Sequence, residues 1–166
     1  MEVWELSARE SIRDLVARYN ANGDAGRFAQ VLALFAEDAT MEIVTADGDV
    51  RRYEGHDAIA TIFTGTRDRW DAEAAAARPP GDPGAVPGAA AGPGGRPRHV
   101  RHFTATHQID LADRTHATGR SYFAVLMAHG LDHWGRYIDT YEERDGRWLF
   151  TSRRALPDGT REAGGG

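Results

Sequence analysis

The stretch RHVRHFTATHQID, Arg98–Asp110, decides the fold, because from His99 onward the chain turns strand-rich. Four strands are predicted, over 99–112, 115–129, 131–144 and 147–156. Asp145-Gly146 marks the last hairpin, and Asp113-Arg114 and Gly130 mark the two before it. The half of the chain before Arg98 reads differently. SARESIRDLVARYNANGD predicts a helix: Ser7 with Glu10 forms a capping box, Ile12, Leu15, Val16 and Tyr19 recur at helical spacing, and Gly23 ends the run. AGRFAQVLALFAED predicts a second helix, with Phe28, Val31, Leu32 and Phe35 on one stripe. Two short strands follow, ATMEIVT and DVRRYE, with Asp47-Gly48 as the turn. GHDAIATIFTGTRDRW predicts a third helix, opened by His56 and Asp57 as capping residues.

Residues 71–98 are rich in Pro, Gly and Ala and nearly devoid of large apolar side chains. Such a segment cannot bury enough surface to offset its ordering entropy, so a flexible surface insertion is expected there, and a disordered tail at 161–166. Helices segregated from a long meander predict an α+β domain. Its curved, mostly antiparallel sheet wraps, cone-like, around three N-terminal helices, and one pocket lies on the concave side.

The bulk properties narrow the functions. The chain has 166 residues, enough for one domain with its own core. It is 41% apolar and 27% charged, the balance of a soluble globular protein. A net charge of −5 argues against a nucleic-acid partner, which demands a basic surface. No apolar run approaches the ~20 residues that cross a bilayer, and MEVWELSARES lacks a basic start followed by an apolar block. The expectation is a cytoplasmic protein without a membrane partner. With no cysteine, disulfides and thiolate metal sites are excluded, and no Walker or dinucleotide glycine pattern occurs.

Three histidines fall in nine residues, His99, His102 and His107. On a regular strand, His99 and His102 point oppositely, as do His102 and His107. His99 and His107 share a face but stand roughly 26 Å apart at strand rise, so no pair chelates an ion from this strand and no metal is expected. Strict alternation puts Val100, His102, Thr104 and Thr106 on one face and Phe103, His107 and Ile109 on the other. By spacing alone, His102 reads as a structural or solvent-exposed residue rather than as one lining a modestly polar cavity. Arg136, Arg147, Arg153 and Arg154, interleaved with Asp139, Glu142, Glu143 and Asp145, read as a solvated sheet face with cross-strand ion pairs.

Four stretches nevertheless resemble the SnoaL-like branch of the nuclear transport factor 2-like superfamily, which includes scytalone dehydratase, bile-acid 7α-dehydratase and ketosteroid isomerase. They are RYNANGDAGRFAQVLALFAEDATME, YEGHDAIATIF, RHFTATHQIDL and GRYIDTYEERDGRWLFTSR. The resemblance implies a histidine on the first long strand, matched by His102, and an aspartate after the first helix, matched by Asp24, five residues beyond Tyr19. The aspartate would orient the imidazole, whose ordinary pKa of ~6.5 lets it take or give a proton near neutrality. Tyr19 would polarise a substrate oxygen. At the position where relatives carry a second histidine or an aspartate this chain has Ser121, which is no proton carrier, and His129 and His133 flank the following turn.

The expected function is a cofactor-independent dehydratase or isomerase acting on a hydrophobic, oxygenated small molecule of polyketide, steroid or terpenoid type. His102, Asp24 and Tyr19 are its catalytic residues, and Tyr53, Thr104, Ser121, Phe123 and Tyr137 line its substrate pocket. Two alternatives share the fold: a non-catalytic small-ligand module, and a structural subunit like the β subunits of ring-hydroxylating dioxygenases. A homodimer or homotrimer is expected, since a convex sheet needs cover.

Overall fold

The structure, a computed structural model, describes residues 1–45, 47–76 and 100–161. His99, most of the expected insertion (from 77 onward) and residues 162–166 lie outside the described residues. The order of elements is α1 (Val3–Asp24), α2 (Phe28–Leu32), β1 (Phe35–Val44), β2 (Val50–Glu54), α3 (Gly55–Ala76), β3 (Val100–Leu111), β4 (His116–Met127), β5 (Gly130–Arg144) and β6 (Arg147–Thr160). The strands form one curved, unclosed six-stranded sheet in the order β2-β1-β6-β5-β4-β3. All pairings are antiparallel except β1 with β6, which is parallel because α3 and the meander intervene between them. The α+β expectation holds.

Several element boundaries differ from the sequence reading; β6, for one, runs to Thr160 rather than to 156. Helix α1 starts five residues earlier than Ser7 predicted: Glu2 and Glu5 cap each other reciprocally, and Arg114 covers the Trp4 ring at 4.7 Å. The predicted second helix stops at Leu32. Phe35, its last stripe residue, instead begins β1, registers with Phe150 of β6 and packs its ring, tilted by 34°, at 5.1 Å from that of Phe150. The Phe150 N–H also donates to the Leu34 carbonyl, so a strand partner overrides the helical period. Helix α3 runs on to Ala76, so residues 71–76, assigned to the insertion by composition, are helical. His56, at its start, bonds the Phe35 carbonyl through Nε2 at 2.9 Å rather than capping the helix.

The main core lies where α1 and α3 pack on the sheet. Ile12, Val31, Phe35, Ile59, Tyr141 and Phe150 are almost wholly buried there. Each large apolar side chain so placed contributes ~1.5–3 kcal/mol. A smaller cluster, Val100, Phe123, Val125 and Tyr137, covers the β3–β5 end of the same face. No helix among the described residues is long and apolar enough to cross a membrane.

Candidate functional site

The end of α1 meets β3 at one point, and that point is Asp24 with His102. Asp24 Oδ1 lies 2.5 Å from His102 Nδ1, and Oδ2 accepts the His102 backbone N–H at 3.0 Å. One carboxylate thus fixes both the ring and the strand that carries it. With Nδ1 committed to Asp24, Nε2 has no partner among the described residues and is the nitrogen placed to exchange protons. The pair is recessed but open: the side chains are 28% and 11% exposed for His102 and Asp24. One turn earlier, Asn20 donates to Thr104 Oγ1 at 2.5 Å, so Thr104 anchors the helix beside the pair.

The alternation expected along β3 breaks at Thr106. Its φ of +53° and the register jump between Ala105 and Gln108 mark a β-bulge, with Thr106 and His107 opposite Ser121. The extra residue turns His107 onto the same face as His102 and Thr104. There His107 Nε2 stands 3.2 Å from the Tyr141 hydroxyl. Tyr141 gives its own proton to Asp139 at 2.9 Å, so His107 is the donor to its oxygen. Burial pushes the His107 pKa down.

Asp139 and Arg153 correct a second expectation, since neither belongs to a solvated face. Both side chains are fully buried, and Arg153 binds Asp139 through Nε and Nη2, each at 2.9 Å. The guanidinium is roofed by Tyr137 at 4.0 Å, Tyr19 at 4.2 Å and Phe150 at 4.3 Å. Burial opposes its charge, but the Asp139 carboxylate outweighs that and raises the Arg153 pKa. Arg136 with Asp158 and Arg154 with Glu42 do form surface ion pairs, with carboxylates other than those expected. Nothing in the one-dimensional pattern separates Arg153 from these neighbours; the register shift between Thr140 and Tyr141 rotates it inward.

The remaining expected residues divide. Tyr19 lies in the aromatic roof over Arg153, edge-on to Tyr137 at 6.3 Å, and makes no hydrogen bond or ring contact with His102. Its pKa is raised by burial, so its hydroxyl stays protonated. Phe123 stacks on Tyr137 at 4.6 Å, and burial raises the Tyr137 pKa, with the Asp24 carboxylate adding slightly to the rise. Among the described residues, buried Ser121 Oγ and Arg153 Nη1 have no hydrogen-bond partner. Tyr53 sits on β2, the sheet edge opposite β3, and packs on the main core without a hydrogen bond or ring contact to the pair. Two cavities lined by described residues lie elsewhere: a groove of about 300 Å³ between α2 and α3, and one of about 250 Å³ beside Trp4 and Trp148.

The comparisons agree with this architecture. A structure of a candidate scytalone dehydratase from Novosphingobium aromaticivorans is 19% identical, with a TM-score of 0.69 over 96% of this chain and 90% of that one. A hexachlorocyclohexane dehydrochlorinase, LinA-type3 from Novosphingobium barchaimii, is 16% identical, with a TM-score of 0.68 over 99% and 96%. The β subunit of a candidate aromatic-ring-hydroxylating dioxygenase from N. aromaticivorans is 16% identical, with a TM-score of 0.68 over 96% and 94%. At these identities the likeness establishes the fold alone. Comparison with curated proteins gave no match. The SnoaL-like domain family matches residues 4–154, nearly the whole chain, and the protein therefore belongs to that family, within the nuclear transport factor 2-like superfamily.

Proposed function

We propose that this protein is a cofactor-independent acid–base enzyme, a dehydratase or isomerase, acting on a hydrophobic, oxygenated small molecule. The observation that carries the reading is the Asp24–His102 pair, with Nδ1 pinned at 2.5 Å and Nε2 without a partner among the described residues. His102 takes a proton from a carbon beside a carbonyl, and Asp24 holds the tautomer and stabilises the imidazolium. The negative charge that develops on the carbonyl oxygen calls for preorganised donors. Arg153 Nη1 and Ser121 Oγ are buried without partners among the described residues, and a substrate oxygen would satisfy them. Tyr19 and Tyr137 keep their protons and contribute hydroxyls and ring faces. Phe123 and Thr104 complete the wall. Neighbours that include a candidate scytalone dehydratase and a dehydrochlorinase, whose names describe eliminations, support this class of chemistry.

The test is deuterium exchange at the α-carbon of the aldol adduct of acetone and benzaldehyde, followed by proton NMR in D2O. Wild-type protein exchanges it, and His102→Gln loses ~10²-fold or more. No exchange by the wild type, or full exchange by His102→Gln, refutes the reading.

A second reading has its own observation. The α2–α3 groove of about 300 Å³ is lined by Phe28, Leu32 and Phe63 and contains no acid–base pair, which suits a module that holds an apolar ligand without chemistry. Among the described residues, Phe103, Tyr122, Leu131, Trp134 and Ile138 of the meander are exposed, which supports a homodimer or homotrimer; sedimentation equilibrium decides between them and a monomer.

A further inference from the structure

An elimination needs two proton transfers, one from carbon and one to the departing hydroxyl, and the sheet places a second imidazole where the latter could occur. In register, His102 of β3 faces Val125 of β4, and Val125 faces His133 of β5. Residues in register across antiparallel strands project to the same side, so both imidazoles rise from one row of the helix-facing surface. Two strand spacings separate their Cα atoms by roughly 10 Å. The burial along β5 agrees: Gly135, Tyr137 and Asp139 are buried in alternation with His133, while Trp134 and Ile138 are exposed.

His133 is held as His102 is held. The register jumps between Val125–His133 and Leu126–Leu131, leaving Asp132 as the extra residue of a bulge. That bulge lets Asp132 Oδ2 reach Nδ1 of the next residue, His133, at 2.7 Å. The other oxygen, Oδ1, meets His129 Nε2 at 2.9 Å, and the Asp132 carbonyl accepts the Arg161 N–H at 2.7 Å. The hydrogen bond from His133, with His129 close by, holds the Asp132 carboxyl below the usual range, so it remains an anion. Nε2 of His133 has no partner among the described residues. The His133 ring stands edge-on to Phe123 at 5.9 Å, against the wall formed by Phe123 and Tyr137. Its side chain is 36% exposed, which permits proton exchange with water.

We propose that His133, backed by Asp132, is a second proton carrier of this site, donating to the leaving hydroxyl; this rests on the acid–base reading above. Neutral His102 Nε2 accepts the proton on the α-carbon, and the C–H electron pair passes into the enolate of the adjoining carbonyl. The enolate pair then forms the carbon–carbon double bond as the carbon–oxygen bond breaks toward oxygen, which takes the proton of cationic His133 Nε2 and leaves as water. The cycle ends with His102 charged and His133 neutral, and exchange with solvent through the open side resets both.

The experiment separates the two steps on the same probe. With the acetone–benzaldehyde adduct, α-deuterium exchange reads the proton removal, and ultraviolet absorbance of the conjugated enone reads water loss. His133→Gln is expected to raise the ratio of exchange to water loss by ~10²-fold, and His102→Gln to abolish both. Asp132→Asn, which keeps the imidazole and removes its anion, should raise the same ratio by about tenfold, which guards against a His133 variant that fails to fold. An unchanged ratio in both variants overturns the role of His133 and leaves the Asp24–His102 reading standing. A wild-type protein inert in both readouts removes the underlying reading, and this proposal with it. Imidazole NMR adds a substrate-free check: a His133 ring that stays neutral throughout pH ~5–8 could not donate, and overturns the assignment.

Discussion

Replacing Asp139 by Asn tests whether the interior of this sheet is organised around one buried ion pair. The substitution keeps the shape but removes the charge that faces Arg153, whose side chain has no solvent exposure. The guanidinium cannot respond by releasing its proton, because arginine stays charged throughout the accessible pH range. One of the two 2.9 Å bonds can be remade to the amide oxygen; the other, and the attraction, are lost. Breaking a buried pair from one side costs about 3–5 kcal/mol. With an unfolding entropy of ~2.1 cal/mol/K per residue, a chain of 166 residues has about 0.35 kcal/mol/K, so Tm should fall by ~9–14 °C. Urea denaturation followed by far-ultraviolet circular dichroism and a calorimetric scan would measure both quantities. Asp158→Asn is the control, because its partner Arg136 is 44% exposed and a surface pair is worth about 0–1 kcal/mol. Should Asp139→Asn cost no more than Asp158→Asn, the claim that Arg153 depends on Asp139 is wrong.

Three further outcomes follow from the same geometry. Asp24→Asn can present an N–H to His102 Nδ1 and so favour the tautomer with its proton on Nε2; α-deuterium exchange of the aldol probe should drop by ~10²–10⁴-fold while the circular dichroism spectrum is unchanged. Burial depresses the folded-state pKa of His107, so as pH falls through ~6.5 the unfolded chain takes up the proton first, and stability drops until the lower folded value is passed. His107→Gln should flatten that part of the stability profile, measured as urea midpoints between pH ~7.5 and ~5, and a slope identical to wild type would count against it. Gly135→Ala places a Cβ 2.1 Å from the Leu156 carbonyl oxygen and 2.8 Å from both Pro157 Cα and the Phe123 ring. Backbone on one side cannot yield, so a loss of about 1–3 kcal/mol in chemical denaturation is expected.

Periodicity and turn residues sufficed for the α+β class, the four-strand meander and the helix that carries Asp24, because those signals are local. The Asp24–His102 partnership came from resemblance rather than spacing: the two residues are 78 apart, and no local rule joins them. Tertiary contact decided the rest. Phe35 left its predicted helix because Phe150 offered a strand partner. A single extra residue at Thr106 turned His107 inward, and another at Asp132 brought a carboxylate to His133. A bulge changes the side every later residue faces without altering composition or hydrophobic pattern, so alternation read from the sequence fails at each one. Arg153 shows the same limit from the other direction. Its neighbours in the chain are charged like a surface strand, and only the closing of aromatic rings over it and Asp139 beneath it makes the interior a place where that charge can stay.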